Sequence, residues 1–181
     1  MLTIQRPTVE AIGEEDNNTQ KFAIGPLERG LGHTIGNSLR RTLLSSIPGA
    51  AITQVRFDDA LHEFDTIPGV AEDVTDIILN LKDIVIAVHT DEVVTLRLDV
   101  RGPKQVVAGD IHPHADVEIL NGDLPLATLN GKGNLAIDIT VGQGAGYVTA
   151  DRNNNSDTIG VIPVDAIYSP CLLYTSDAAD E

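Results

Sequence analysis

The sequence contains no tryptophan and only three phenylalanines and three tyrosines in 181 residues. Single-stranded nucleic acid is gripped by stacking bases on aromatic faces, so that mode of binding is disfavoured from the outset. The interior must be built from valine, isoleucine, leucine and alanine. A single cysteine, Cys171, excludes both a disulfide framework and a cysteine-based metal site. No apolar run is long enough to span a bilayer. The opening "MLTIQRPTVEAIGEEDNN" has no basic stretch followed by an apolar core, so no secretory leader is expected. A reducing, cytoplasmic setting is the simplest inference. Positive charge is scarce too: 12 Lys and Arg stand against 27 Asp and Glu, a net −15. That balance argues against a general affinity for nucleic acid, although a local basic patch remains at Arg40 and Arg41.

What is present reads as globular. Hydrophobic residues make up 42% of the chain, enough for one or two domains with a core of their own. "EAIGEEDNNTQ" is polar and turn-rich and predicts a loop or hairpin tip, and "KFAIGPL" predicts a strand. A helix is expected from about Thr34 to Ile47, ending before Pro48-Gly49. A second is expected over about Val70 to Lys82, where Val70, Val74, Ile77, Ile78 and Leu81 form one apolar stripe. Glu72 and Asp73 in its first turn and Lys82 in its last suit the helix dipole. From Asp83 onward the chain turns to short β-branched runs, "IVIAVHT", "VVTLRLDV", "VVAGDI", "DVEIL", "PLATL" and "LAIDITV", separated by turn residues. Several alternate apolar and polar positions as half-buried antiparallel strands do. The fold class is therefore α+β.

Several groups could carry chemistry. Gly30, Gly32 and Gly36 lie between a strand and a helix, as in a dinucleotide site whose helix N-terminus receives a pyrophosphate. The spacing is a relaxed variant of that fingerprint, and Arg56-Phe57-Asp58-Asp59 falls near the place of its acidic residue. The antiparallel character of the later strand-like runs speaks against it. Asp110, His112, His114 and Asp116 alternate and have zinc-binding side chains, against the plainer reading of a solvated loop; Pro113 makes a regular strand there doubtful. His62 and Glu63 could form an acid–base pair, but neighbours on a strand point to opposite faces. Ser45-Ser46 lies in the first helix outside any nucleophile motif. "GQGAGY", Gly142 to Tyr147, reads as a flexible turn and has no lysine for a phosphate loop.

The first helix is the most informative element. Ile35, Leu39, Leu43 and Ile47 step by four. With an advance of about 100° per residue, Arg41 falls opposite that stripe, with Asn37 and Leu44 beside it. An arginine beside a leucine off the main stripe fits an interface anchor. It fits a second packing contact within the same domain equally well.

These residues resemble a known family. "GPLERGLGHTIGNSLRRTLLSSIPGAAITQVRFDDALHEFDTIPGVAEDVTDIILNLK" looks like the amino-terminal domain of the bacterial DNA-directed RNA polymerase alpha subunit. "ATLNGKG", "GYVTA" and "IGVIPVDAIYSP" continue the likeness in order. It covers nearly everything from Met1 to Pro170, with wording that leans towards actinobacterial relatives. The resemblance implies a transcription scaffold that dimerises and then recruits the beta and beta-prime subunits, with no cofactor, no metal and no catalytic residue of its own. Nucleotidyl transfer would belong to the assembled polymerase. It implies a discontinuous dimerisation domain, first part about 1–48, interrupted by a strand-rich insert at about 49–167 and resumed at 168–170. Residue by residue, Arg41 and Leu44 match positions that support beta binding, and Lys82 and Val164 match positions used for beta-prime. Ile35, Leu39, Leu43 and Ile47 would face the second copy. Gln143, Ala145 and Val161 depart from the family, which usually carries basic residues there. A small nucleotide-binding enzyme using Gly30 to Gly36 is the alternative.

The tail "CLLYTSDAADE", Cys171 to Glu181, fits nothing before it and matches one reading frame of a common sequencing-library transposon adapter. It is therefore expected to be non-native. That would take Asp177, Asp180 and Glu181 out of the acidic count and leave no cysteine. On the same reading, the return segment of the dimerisation domain, the linker and the carboxy-terminal DNA-binding domain would be missing.

Overall fold

The computed structural model describes residues 6–16, 18–153 and 158–177. The first five residues of the family-like opening and residues 178–181 of the tail lie outside them. The chain divides into two compact units, 1–42 with 173–181, and 43–172.

In the first unit, β1 (Thr8–Asp16) and β2 (Thr19–Gly25) form an antiparallel hairpin. The segment expected to be a loop or hairpin tip does carry the turn of a hairpin, but most of it is strand. Only its tip turns, with Asn18 at φ 58°, a conformation asparagine tolerates better than most side chains. Val9 pairs with Ile24 and Ala11 with Phe22. Helix α1 covers Leu31–Ser45. It starts three residues earlier than expected, because the break lies at Gly30, at φ 81°. It ends two residues earlier, because Ile47 precedes Pro48 and is pushed away from helical geometry. Gly32 and Gly36 are therefore helical residues. No residue of α1 is fully buried.

The second unit is built on an antiparallel sheet. Its strands are β3 (Pro48–Phe57), β5 (Val94–Arg101), β9 (Asn134–Ala145) and β11 (Val161–Pro163), in the order β11-β3-β9-β5. Helix α2 (Val74–Lys82) packs on it. Two-stranded ribbons join β4 (Ile86–Val88) to β7 (Val117–Ile119), β6 (Lys104–Val107) to β8 (Pro125–Leu129), and β10 (Tyr147–Val148) to β12 (Ala166–Ile167). A single-turn helix, α3, covers Ala150–Asn153. Every ladder among the described residues is antiparallel.

Alternation places the core. Leu96 and Leu98 of β5, and Leu135, Ile137, Ile139 and Val141 of β9, are buried with Val55 and Phe57 of β3. Ile52 joins them although it lies three residues before Val55. A bulge between Ile52 and Gln54 absorbs the odd residue, so Ile52 meets Val141 while Val55 meets Ile139. Helix α2 adds Val74, Ile77 and Leu81, all buried. It starts four residues later than its stripe suggests. Asp73 is its N-cap, accepting the Asp76 N–H at 2.8 Å. Glu72, expected in the first turn, instead accepts the Thr128 N–H at 2.7 Å. Val70 remains partly packed on the core but bridges Leu129 in extended form.

"GQGAGY" is not a flexible turn. Its first four residues finish the central strand β9, and only Gly146, at φ 70°, breaks it. Of the two glycines within β9, Gly144 is there for space, while Gly142 has room for a side chain. A Cβ on Gly144 would stand 2.7 Å from the Tyr168 ring, and one on Gly49 only 1.9 Å from the Tyr168 carbonyl oxygen.

On the polar face, Arg56, Asp138 and Arg97 lie side by side across β3, β9 and β5. Arg97 donates to Asp138 at 2.8 Å and also to Asp58, and Arg56 donates to Asp138 at 2.6 Å. The hydrogen bond from Arg97 holds Asp58 below its ordinary pKa of 3.8. Burial pushes Asp138 up, but the hydrogen bonds from Arg97 and Arg56 outweigh it and leave it lowered as well.

Two outcomes are expected. Gly144→Ala should lower the stability of the second unit by about 1–3 kcal/mol through overpacking against the Tyr168 ring, with Gly49→Ala worse because it meets backbone. Urea unfolding of both variants checks this. The Arg97 cluster has two lowered carboxylates, so its contribution is complete above their unfolded pKa and fades as pH falls through the lowered folded values. Its groups are partly exposed, so the effect is on the order of 1 kcal/mol or less. Stability should therefore drop below pH ~4, and Arg97→Met should flatten that acid limb in urea midpoints measured against pH.

Candidate interaction surface

The residues expected to carry function are divided between the two units. Arg41 is exposed on α1, and Leu44 is half-buried rather than open. Of the stripe, Ile35 and Leu43 are half-buried and Leu39 is exposed. Ile47 is half-buried but lies beyond the end of the helix, so the helical stripe stops at Leu43. The Leu43 carbonyl accepts the Ser169 hydroxyl at 3.1 Å. Tyr174 and Ser176 of the tail approach Gly36, with the Tyr174 hydroxyl 3.4 Å from where a Cβ would be.

Lys82 ends α2. Its ammonium stands 3.8 Å from Asp165. Beside it is a small open cleft of about 30 Å³, lined by Ala50, Ala51, Ile52, Leu81, Ile84 and Ile167 as well as this pair. Val164, the neighbour of Asp165, is only 4% exposed, and its N–H donates to the Thr53 carbonyl at 2.9 Å. Its side chain belongs to the core, so what reaches solvent at this place includes Lys82, Asp165, Tyr147 and Ile167. Asp165 Oδ1 accepts the Ala150 N–H at 2.8 Å. That bond, with help from the Tyr147 hydroxyl and from Lys82, holds the carboxylate below its ordinary range. Burial and the adjacent carboxylate push the Tyr147 hydroxyl up. Nothing in the sequence marks Asp165 or Tyr147 as partners of Lys82. They lie far from it along the chain, and no local spacing links them.

The other candidates resolve into structural roles. Asp110 pairs with Lys104 at 2.6 Å and accepts the Val107 N–H. His114 Nδ1 accepts the Asp116 N–H, and the His112 N–H donates to the Arg97 carbonyl. No group of three or more His, Cys, Asp or Glu suited to a metal occurs among the described residues. His62 pairs with Asp65 at 3.3 Å, not with Glu63. The strand before α1 belongs to an antiparallel hairpin, and the strand after it pairs antiparallel with β9. The dinucleotide reading of Gly30 to Gly36 therefore lacks its parallel sheet. Gln143 donates to the Val88 carbonyl at 2.8 Å, Ala145 lies opposite Pro48, and Val161 lies opposite Arg56. No helix among the described residues is long and apolar enough to cross a membrane.

An α+β unit whose ladders among the described residues are all antiparallel is not a nucleotide fold. Residues 55–169 match the family described as the RNA polymerase Rpb3/RpoA insert domain, and the chain belongs to that family. Beyond that match, it is 58% identical to a DNA-directed RNA polymerase subunit alpha of Symbiobacterium thermophilum, over 94% of this chain and 55% of that protein. It is 57% identical to the subunit of the same name from Beutenbergia cavernae, over 97% of this chain and 52% of the relative. The subunit of Saccharopolyspora erythraea is 56% identical over 97% of this chain and 49% of its own length. The chain thus spans about half the length of the curated relatives it matches.

Because Val164 packs in the core, Val164→Ala should first be a stability variant. A loss of about 1–3 kcal/mol in urea unfolding is expected. Any binding defect it shows should shrink when measured well below its unfolding midpoint.

Proposed function

We propose that the chain acts as the assembly platform of a bacterial RNA polymerase, a non-catalytic alpha subunit working in the cytoplasm. Two copies associate, and the pair recruits the beta and beta-prime subunits. The observation that carries this reading is the identity of more than half of all residues with proteins named DNA-directed RNA polymerase subunit alpha, across nearly the whole chain. Nucleotidyl transfer is then a property of the assembled enzyme.

The division of labour follows the sequence positions. Arg41 and Leu44 of α1 meet the beta subunit, and Lys82, with the segment that carries buried Val164, meets beta-prime. The second copy is met by residues 1–48 through Ile35, Leu39, Leu43 and Ile47. Support for an apolar partner comes from the first unit, where Val9 is 64% and Phe22 60% exposed. Apolar side chains left open on this hairpin are in keeping with a surface covered in the working assembly.

Arg41→Ala removes an exposed side chain and should change the stability seen in urea unfolding only slightly, by less than about 1 kcal/mol. Capture of the beta subunit should fall by roughly tenfold or more, the ordinary cost of losing an interface anchor. Leu44→Ala should weaken capture similarly with a modest loss of stability, since that side chain is half-buried. Pull-down with purified beta subunit, at matched folded fractions, tests the assignment. Undiminished capture by the double variant would refute it.

A further inference from the structure

We propose that Asp165 is a positioning residue that holds the Lys82 ammonium ready for a carboxylate of the docking partner. This rests on the reading of Lys82 as a partner contact. The geometry has three parts. First, Asp165 is anchored on both sides along the chain. The preceding Val164 N–H donates to Thr53, and the following residues Ala166 and Ile167 pair with Val148 and Tyr147. Second, its carboxylate is itself held by the Ala150 N–H at 2.8 Å, and the neighbouring Tyr147 hydroxyl helps to keep it charged. Third, Lys82 approaches it at 3.8 Å. That separation lies within ion-pair reach but outside hydrogen-bond distance. The ammonium is thus localised by attraction, and its three donors remain open to another acceptor.

A lysine stem carries more rotamer freedom than almost any side chain, and binding must remove it. An anionic neighbour fixed in place removes part of that freedom beforehand, so less is lost on docking. The surroundings favour a charged acceptor. Lys82 is only 26% exposed, and the buried side chains of Leu81, Ile52 and Ile84 lie behind the small cleft beside it. A carboxylate brought there would leave bulk water and meet the ammonium at a lower effective dielectric.

The test uses full-length subunits assembled into polymerase, with beta-prime capture titrated. Lys82→Ala should weaken capture. Asp165→Asn keeps an acceptor for Ala150 and Tyr147 but removes the charge, and should weaken capture roughly threefold to tenfold. In a Lys82→Ala background it should add nothing. Asp165→Glu should recover part of the loss, and Tyr147→Phe should give a smaller defect that also disappears without Lys82. Urea midpoints monitor folding throughout, and Tyr147→Phe still decides if Asp165→Asn is unstable. Equal losses in both backgrounds would make Asp165 merely structural and overturn the proposal. Unchanged or tighter capture by Asp165→Asn would overturn it as well, while leaving Lys82 as a contact. Wild-type capture by Lys82→Ala would remove the contact reading, and this proposal with it.

Discussion

Backbone pairing between Pro48–Phe57 and Asn134–Ala145 is the constraint on which the second unit depends. It joins segments separated by most of that unit, and the entropy of closing so long a loop must be recovered by contacts that form only afterwards. Recovery comes from β9, which is paired on both edges and whose Ile137, Ile139 and Val141 are fully buried. Helix α2 and the β4–β7 and β6–β8 ribbons lie between the two strands in the chain. Tyr168 closes the arrangement against Gly49 and Gly144, tying the end of the unit to the start of its central pair.

The same sheet sorts polar from apolar function. Its inner face is dominated by aliphatic side chains, in keeping with a chain that has so few aromatics. Its outer face carries the Arg56–Asp138–Arg97 row, with Asp58 just past the end of β3. Cross-strand neighbours of opposite charge reinforce the register that the apolar face sets independently. The Lys82–Asp165 pair stands apart from that row and is built from elements far apart in sequence. A structural cluster is closed on itself, whereas this pair is held loosely beside an open cleft.

Much of this could be read from residue order. Alternation in "VTLRLDV" and "LAIDITV" marks two central strands of the sheet, and the stripe Val74, Ile77, Leu81 marks the buried face of α2. Boundaries fail where one local group outcompetes the pattern. Asp73 caps α2 and leaves Val70 extended, and Gly30 breaks the chain before α1 where the residue pattern suggests a break further on. "GQGAGY" misleads because glycine usually signals freedom, whereas Gly144 makes room for Tyr168. The family resemblance points to Arg41, Leu44, Lys82 and Val164, but no pattern could show that Val164 points inward or that Asp165 comes beside Lys82. Both depend on long-range pairing of the 160s with β3 and β10.

The bulge at Thr53 has a consequence best put in terms of insertion and deletion. Removing Thr53 would leave Ile52, Val55 and Phe57 in simple alternation, so hydrophobic patterning alone would favour the shorter strand. What the extra residue supplies is the Thr53 carbonyl turned to the Val164 N–H, one residue from Asp165, and a local bend in β3 beside the cleft. A lineage selected only for a stable core could lose that residue at little cost. One selected for what docks beside Lys82 would have to keep it, and length variation should then gather at the hairpin tips and spare the middle of β3.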